Sequence, residues 1–162
     1  MTPNLAGDRV ELVPLVPGAA AEMAPLLDDA ALHRFIGGRP LTEPELLAHY
    51  TRLVAGAPGA SGQTWFNWVI RRTDTGAAVG TTQITLSTED AAIAWVVATS
   101  AQGHGFGTAA ACAMVAWLAV TVDVPVVAYI HPDNIASERV AHKAGLRPTD
   151  GWEDGERIWR LL

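Results

Sequence analysis

The stretch of sequence that decides the fold is Ser100-Ala-Gln-Gly-His-Gly-Phe-Gly-Thr-Ala-Ala-Ala111. It follows an apolar, strand-like segment, Ala91–Ala98, and leads into a long apolar helix. Its three glycines, Gly103, Gly105 and Gly107, allow a tight turn and a close approach of the backbone to a ligand. The start of the helix adds unpaired N–H groups and the positive end of a dipole. The segment therefore predicts a site for a phosphate-bearing ligand.

The order of the glycines distinguishes between known phosphate-binding motifs. A dinucleotide-binding loop requires Gly-x-Gly-x-x-Gly with an acidic residue about 20 positions later. Read as Gln102-x-x-Gly105-x-Gly107, this segment instead resembles the pyrophosphate-binding loop of the GNAT superfamily of acyl-CoA-dependent N-acetyltransferases. Downstream, Asn134-Ile-Ala-Ser-Glu-Arg-Val-Ala-His-Lys-Ala-Gly-Leu146 resembles the second CoA-side segment of that superfamily. It is closest in form to the ribosomal-protein acetyltransferase branch, the RimJ/RimL type.

The composition is that of one globular domain, which we expect to comprise residues 1–162. The 162 residues are 49% hydrophobic and 17% charged, which suits a chain with a sizeable core. The net charge of −6 argues against a surface for duplex nucleic acid, which needs clustered lysine and arginine. The single cysteine, Cys112, excludes an intrachain disulfide and multi-cysteine metal motifs.

The sequence shows no sign of a membrane partner. Its longest apolar run, Ala109–Val120, is too short to span a bilayer, and the first residues do not resemble a secretory signal. We therefore expect a cytoplasmic protein, either monomeric or homodimeric.

Apolar periodicity and turn residues predict the other elements. In chain order these are a strand within Arg9–Leu15, helices over Ala19–Leu27 and Glu43–Ala55, a hairpin of Thr64–Ile70 and Ala78–Leu86, a fully buried strand over Ala91–Ala98, a helix over Thr108–Val122, a strand over Val124–Ile130, a helix from Asn134 to about Ala144, and a final hairpin around Asp154–Gly155. Thr42 is the predicted N-cap of the second helix, and Arg34–Pro40 is predicted as a loop.

This order matches the GNAT plan. The resemblance implies an α/β (α+β) fold with a mixed, mostly antiparallel sheet, two splayed central parallel strands and helices on both faces. The splayed pair would be Ala91–Ala98 and Val124–Ile130, with the pantetheine arm of the cofactor in the gap between them. Acceptor choice would lie with the first helices and the loop from Leu32 to Pro40.

The resemblance also implies acetyl-CoA as the acyl donor and assigns residues to its binding. Main-chain N–H groups would hold the pyrophosphate, supplemented by two side chains, and the strand before the loop would pair with the pantetheine amides. The residues concerned are Gly103, His104, Gly105, Phe106, Gly107 and Thr108 for the pyrophosphate, with the Gln102 and Thr108 side chains, and Trp95, Val96, Val97, Asn134 and Ser137 for the pantetheine and thioester. Each assignment has a structural alternative. Asn134 would then be an ordinary helix N-cap, and the glycines would serve only to form a tight turn between the strand and the helix.

Catalysis requires an acid for the leaving thiolate and benefits from a base for the amine. By resemblance, Ser137 is the candidate acid, because the helix that carries it has no tyrosine, and Tyr129 reads as a core or sheet-face group. Many relatives carry a glutamate in Glu-Ile-Gly-Trp, where this chain has Ala92-Ile-Ala-Trp95. The candidate bases are Glu89, Asp90 and His131. The five histidines form no metal-binding pattern, so no metal is expected.

The function that follows is transfer of an acetyl group from acetyl-CoA to a primary amine, either a protein N-terminus or a small molecule, by direct attack. Because the strand glutamate is missing, the alternative is a catalytically weak or inactive acyl-CoA-binding module of the same fold. A nucleotide-binding protein with a plain phosphate loop is disfavoured, because Thr108 stands where a Walker lysine would follow Gly107.

Overall fold

The computed structural model describes all 162 residues, which form eight strands and five α-helices. In chain order these are β1 (Leu5–Gly7), β2 (Val10–Pro14), α1 (Ala20–Leu26), α2 (His33–Ile36), α3 (Glu43–Ala55), β3 (Thr64–Arg72), β4 (Ala78–Leu86), β5 (Ala91–Val97), α4 (Phe106–Thr121), β6 (Val126–Ile130), α5 (Ile135–Lys143), β7 (Leu146–Glu153) and β8 (Glu156–Leu161). The predicted order of helices and strands is confirmed from β2 onward, apart from the short helix α2.

All eight strands belong to one sheet, in the order β1-β2-β3-β4-β5-β6-β8-β7. Every neighbouring pair is antiparallel except β5 and β6, which are parallel. The predicted fold class, a mixed and mostly antiparallel sheet with two central parallel strands, is confirmed. The last strand, β8, lies between β6 and β7, so the final hairpin turns back into the sheet.

The alternation of side chains along β3 divides the core between the two faces of the sheet. Trp68 and Ile70 are fully buried in a cluster that includes α4 residues such as Met114. Val69 points the other way, into a second cluster with Met23 of α1 and Tyr50 of α3. Helices therefore cover both faces, as predicted.

The N-terminus of α3 is fixed as the sequence predicted. The Thr42 hydroxyl accepts a hydrogen bond from the Glu45 N–H, and the Glu45 carboxylate accepts one from the Thr42 N–H, which makes a complete capping box. Arg39 donates two further hydrogen bonds to Glu45. Together these contacts hold the pKa of Glu45 at about 2, because Arg39 and the Thr42 groups stabilise its charged form.

Three predictions about individual elements were wrong. The predicted loop Arg34–Pro40 contains most of α2, a single helical turn that is too short to show a 3.6-residue period. Helix α4 begins at Phe106 rather than Thr108, because Gly105, with φ +82°, takes the N-cap position. The segment Ala91–Ala98 is not fully buried: Ala94 is exposed and Trp95, Val96 and Val97 are half-buried.

None of the helices has the length and apolar character needed to cross a lipid bilayer.

Candidate active site

A gap opens in the middle of the sheet between β5 and β6. The two strands pair only at Ala91 with Val126 and at Ala92 with Val127. From Ile93 onward the edge of β5 that faces β6 has no strand partner, whereas its other edge pairs with β4 along the whole strand. The main chain of Trp95, Val96 and Val97 therefore borders the gap, which explains why this half of β5 is not fully buried.

A glycine on β4 shapes the end of β5 beside the gap. Gly80 pairs with Val97, and a Cβ on Gly80 would collide with the carbonyl oxygen of Val96. The two backbones approach so closely here that no larger residue fits without a shift of the main chain. Gly80 thus sets the course of the strand segment that the sequence assigned to pantetheine.

The glycine-rich loop presents a run of free donors at the start of α4. Gly103 and Gly105 adopt φ +81° and +82°, which other residues rarely adopt. The first N–H of this region with a backbone acceptor is that of Ala109, which bonds Gly105 O at 3.0 Å. The six N–H groups of residues 103–108 have no backbone partner. This arrangement is suited to binding an anion.

The third glycine of the loop has a different role. Gly107 lies buried in the first turn of α4, and a Cβ there would meet Val97 Cγ2 at 3.3 Å and Val140 Cγ2 at 3.5 Å. It therefore lets α4 approach both β5 and α5. The Gln102 side chain donates to Val97 O at 3.0 Å and ties the loop to the end of β5, while Thr108 is half-buried in the helix.

Two arginines that the sequence analysis missed lie beside this loop. Arg9 Nη2 donates to His104 O at 2.8 Å, across 95 residues of sequence. The guanidinium groups of Arg9 and Arg72 lie 5.6 and 5.4 Å from the centre of the Phe106 ring. No motif surrounds either residue, so only the folded chain shows that their guanidinium groups lie next to the loop. Arg72 is paired with Asp74 at 2.7 Å, and Arg9, which lies 3.6 Å from Asp8, is the one that bonds the loop.

The second motif places Asn134 and Ser137 at the start of α5. Asn134 Oδ1 accepts the Ser137 N–H at 3.2 Å, so Asn134 is the N-cap of α5, the structural role that the sequence allowed. Both side chains are half-buried and line the same cleft as Trp95 and Val96. Asn134 and Ser137 therefore line the cleft together with the open half of β5, and the two sequence motifs contact each other where Gly107 lies beside Val140.

The three candidate bases lie in different surroundings. Asp90 lines the cleft and accepts hydrogen bonds from Ser87 Oγ at 3.1 Å and from Tyr129 Oη at 3.4 Å. Glu89 is exposed in the turn before β5 and does not line the cleft. His131 also lies outside the cleft lining; its ring packs against Phe35, with centroids 5.6 Å apart. Of the three, the fold brings only Asp90 into the cleft with Ser137.

The cleft has a volume of about 1040 Å³ and extends from the gap to α1 and α3. Residues of the region that the resemblance linked to acceptor choice line it, including His33, Phe35 and Arg39. Four carboxylates line it as well, and they share one end: Asp90, Glu153, Asp154 and Glu156. The structure contains no group of three histidine, cysteine, aspartate or glutamate side chains placed to hold a metal ion.

Tyr129 stands at the acidic end of the cleft, together with three carboxylates that the sequence analysis did not select, Glu153, Asp154 and Glu156. It lies on the sheet face, one of the two positions that the sequence allowed, and burial with the charges of Asp90 and Glu153 raises its pKa to about 12. Tyr129 is therefore a hydrogen-bond donor at neutral pH. Burial also raises the pKa of the Glu156 carboxyl, and the nearby Asp154 and Glu153 act in the same direction.

The raised pKa of Glu156 predicts a pH-dependent effect on stability. Such a group stabilises the folded state fully below its ordinary pKa, and this stabilisation is lost as the pH rises through the higher folded-state value. Glutamine does not ionise, so Glu156→Gln does not lose this stabilisation as the pH rises. We expect its Tm to exceed that of the parent at neutral pH and to equal it near about pH 3. Thermal unfolding of both proteins across this range tests it; a variant less stable than the parent at neutral pH would contradict it.

The chain matches one known protein family over most of its length. The acetyltransferase (GNAT) domain family matches residues 9–147. No curated protein sequence matches significantly. Among solved structures, an acetyltransferase of the GNAT family from Bacillus anthracis is similar with a TM-score of 0.80 and 16% identity, over 99% of this chain and 98% of that chain.

Two further solved structures are similar over most of their length. One is the Salmonella typhimurium acetyltransferase that modifies the N-terminal serine of 50S ribosomal subunit protein L7/L12, with a TM-score of 0.75 and 15% identity over 98% of this chain and 96% of that chain. The other is AAC(6′)-Ib in complex with paromomycin and acetyl-CoA, with a TM-score of 0.75 and 19% identity over 94% and 92%. The presence of a ribosomal-protein acetyltransferase agrees with the RimJ/RimL-type resemblance of Asn134–Leu146.

Proposed function

Because this chain belongs to the acetyltransferase (GNAT) family, we propose that it transfers an acetyl group from acetyl-CoA to a primary amine by direct attack. The observation that carries the proposal is the placement of three features around β5. Trp95 and Val96, on the part of β5 that has no partner on the β6 side, line one cleft with Ser137 of α5. The six free N–H groups lie in the loop and first turn of α4 that follow β5, where Gly107 lies against Val97 of β5 and Val140 of α5. We propose that residues 1–162 act as one catalytic domain in the cytoplasm.

In this proposal the main chain holds the donor. The N–H groups of residues 103–108 bind the pyrophosphate, with Arg9 adding positive charge beside them. The free edge of β5 at Trp95–Val97 pairs with the pantetheine amides as an added strand does. Asn134 contributes its side chain from across the gap. Support comes from AAC(6′)-Ib, a fold neighbour whose structure contains acetyl-CoA.

The acidic end of the cleft receives the amine. An alkylamine is mostly protonated at neutral pH, so carboxylates attract it and one of them must accept a proton before the nitrogen can attack. Asp90 is the best-placed carboxylate of the three candidate bases, because it lines the cleft two residues before Ala92 and thus on the same face of the chain. It offers a replacement for the glutamate that relatives carry at the position of Ala92.

The chemical step joins these groups. The amine nitrogen attacks the thioester carbonyl carbon and forms the C–N bond, the C–S bond breaks, and the nitrogen loses one proton while the thiolate of CoA gains one, so that the amide and the free thiol are both neutral. An N–H of the β5 edge is available to the carbonyl oxygen as it gains negative charge. Ser137, one helical turn after Asn134, is the proposed donor to the departing sulfur.

Ser137→Ala tests this assignment. Because the hydrogen bond to sulfur gains strength only as charge develops, kcat should fall about 10-fold while the dissociation constant of acetyl-CoA changes less than about twofold. Steady-state kinetics and calorimetry on the same preparation give both numbers. Unchanged turnover, or a loss explained wholly by weaker acetyl-CoA binding, would make Ser137 a binding or capping residue.

A panel of amines and peptides, read by release of the CoA thiol, tests the proposed function as a whole. The catalytically inactive alternative, which the absent strand glutamate supports, predicts binding of acetyl-CoA without thiol release from any acceptor. A nucleotide-binding protein would instead be stabilised more by ATP or NAD than by acetyl-CoA in thermal unfolding. We expect acetyl-CoA to give the larger shift and at least one amine to release the thiol.

A further inference from the structure

The charged groups that line the cleft are unevenly placed. Four carboxylates lie at the end formed by the start of β5 and the β7–β8 hairpin, and the one arginine of the lining, Arg39, is paired with Glu45 at the start of α3. The opposite end, between α1, α3 and β3, is lined by Leu15, Leu27, Leu46 and Leu53 and has no unpaired charge in its lining; we call it the uncharged end. Burial and the charge of Arg52 lower the pKa of His49, which lies at this end. An ammonium group placed here would lose its hydration without gaining an opposite charge.

A buried hydroxyl without a partner lies at the uncharged end. Tyr50 lines the cleft and is 4% exposed, and its hydroxyl has no hydrogen-bond partner in the protein. Burial raises its pKa to about 12, so that the group stays protonated. A buried polar group is normally paired, because leaving it unpaired is unfavourable. The hydroxyl oxygen has almost no exposed surface, so a ligand group pairs with it only after a small displacement of the side chains that cover it; such a pairing would account for its retention.

A second neutral polar side chain lies close to the first. Asn67 is 7% exposed, lines the cleft, and precedes Val69 by two residues on β3, so it faces the same side of the sheet. Its main-chain carbonyl oxygen accepts the Leu15 N–H at 2.9 Å, which places Leu15 beside it. Leu15 and Val69 both pack in the same cluster as Tyr50. The uncharged end of the cleft therefore combines leucine side chains with the Tyr50 hydroxyl and the Asn67 carboxamide. Gln83, which pairs with Asn67 and also lines the cleft, adds a second carboxamide on this face of the sheet.

We infer that the acceptor carries a single amine on an uncharged body, and that Tyr50 and Asn67 bind a neutral amide or hydroxyl group of that body. The inference rests on the proposed function, since it places the amine at the carboxylates and Ser137. The leucines contact the apolar part of the acceptor. Polyamines and aminoglycosides carry further ammonium groups, for which the uncharged end offers no carboxylate, and they are expected to be poor acceptors.

Two amines that differ by one neutral group test this assignment. L-Leucinamide carries a carboxamide, and isopentylamine is the same amine without it. Tyr50→Phe should lower kcat/KM for L-leucinamide about 10-fold and change that for isopentylamine less than about twofold, since only the first amine loses a hydrogen bond. Because the hydroxyl has no partner in the free protein, the Tm of the variant should equal or exceed that of the parent.

Trp159→Phe is the control. The Trp159 indole N–H is also buried without a hydrogen-bond partner, and the residue is 6% exposed, but it packs in the cluster that contains Met114 and does not line the cleft. Its replacement should affect the two amines equally. Equal losses for both amines in Tyr50→Phe, no loss for either, or a higher kcat/KM for spermidine than for L-leucinamide would overturn the inference.

A binding measurement separates this inference from the proposed function. Calorimetric titration of L-leucinamide into the protein saturated with CoA requires no turnover. The parent should bind it about 10-fold more tightly than Tyr50→Phe. Equal affinities, or no binding to either protein, overturn the acceptor assignment even if another amine is acetylated. If binding differs as expected but no amine releases the CoA thiol, the proposed catalysis fails and the assignment of Tyr50 and Asn67 stands.

Discussion

Gly105→Val should weaken acetyl-CoA binding at least about 100-fold in a protein that remains folded. The residue adopts φ +82° at the N-cap of α4, so a β-branched side chain forces the turn to change. The free N–H groups on either side then no longer converge on one anion. Hydrogen bonds to charged groups contribute about 1.5 to 3 kcal/mol each, so losing two costs about 3 kcal/mol or more, which is the stated factor. Calorimetric titration measures it directly.

Gly62→Val is the control for backbone strain. Gly62 has φ +66° and ψ +14°, close to the φ +82° and ψ +8° of Gly105, but it lies in the loop before β3 and does not line the cleft. Both variants should lose similar amounts of Tm. All three proteins are given acetyl-CoA at 100 times the dissociation constant of the parent. In the parent and in Gly62→Val, this concentration should raise Tm by about 5 to 10 °C. A comparable rise in Gly105→Val would show that the loop does not bind the pyrophosphate.

Gly80→Ala is expected to have the largest effect on stability. Its new methyl group would collide with a backbone atom, the Val96 carbonyl oxygen, which cannot move aside as a flexible side chain can. The main chain of β4 or β5 must shift, at a cost of about 3 kcal/mol in the free energy of unfolding, or about 6 to 12 °C in Tm. Since the shift falls on the β5 edge proposed to pair with pantetheine, acetyl-CoA binding should weaken as well.

Gly18→Ala provides the comparison for Gly80→Ala. A Cβ at Gly18 meets nothing within 4 Å, and its φ is not in the left-handed region. This variant should stay within about 0.5 kcal/mol of the parent. Denaturant unfolding of the three proteins gives the two differences. A Gly80→Ala protein as stable as Gly18→Ala would mean that β4 and β5 can separate easily at this point.

The parts of the fold that were predictable from sequence are those set by local chemistry. The capping box at Thr42, the turn glycines of the loop before α4 and the N-cap at Asn134 each depend on residues within a few positions of one another. The two phosphate-side motifs were found for the same reason. Their contact beside β5 follows from the parallel pairing of β5 and β6, which the family resemblance implied.

The rest depends on contacts between distant parts of the chain. The sequence indicates a final hairpin, but nothing in it says that β8 pairs with β6, and this pairing is what brings the hairpin, with Glu153, next to Tyr129. Arg9 approaches His104 across 95 residues. The unbroken apolar run of β5 suggested full burial because apolar composition does not reveal a missing neighbour strand. These residues carry charge or line the cleft, yet no local pattern marks them.

The splayed pair also has a consequence for cooperativity. The sheet consists of one half with β1 to β5 and another with β6, β8 and β7, and only two residue pairs join the halves. Partial unfolding follows boundaries that few hydrogen bonds cross. Without ligand, we therefore expect the β6-β8-β7 half to unfold by itself from time to time and to exchange its amide hydrogens, while the amides of β2 to β4 stay protected. A ligand that bridges the gap adds bonds to both halves, so the two would then open together as one unit.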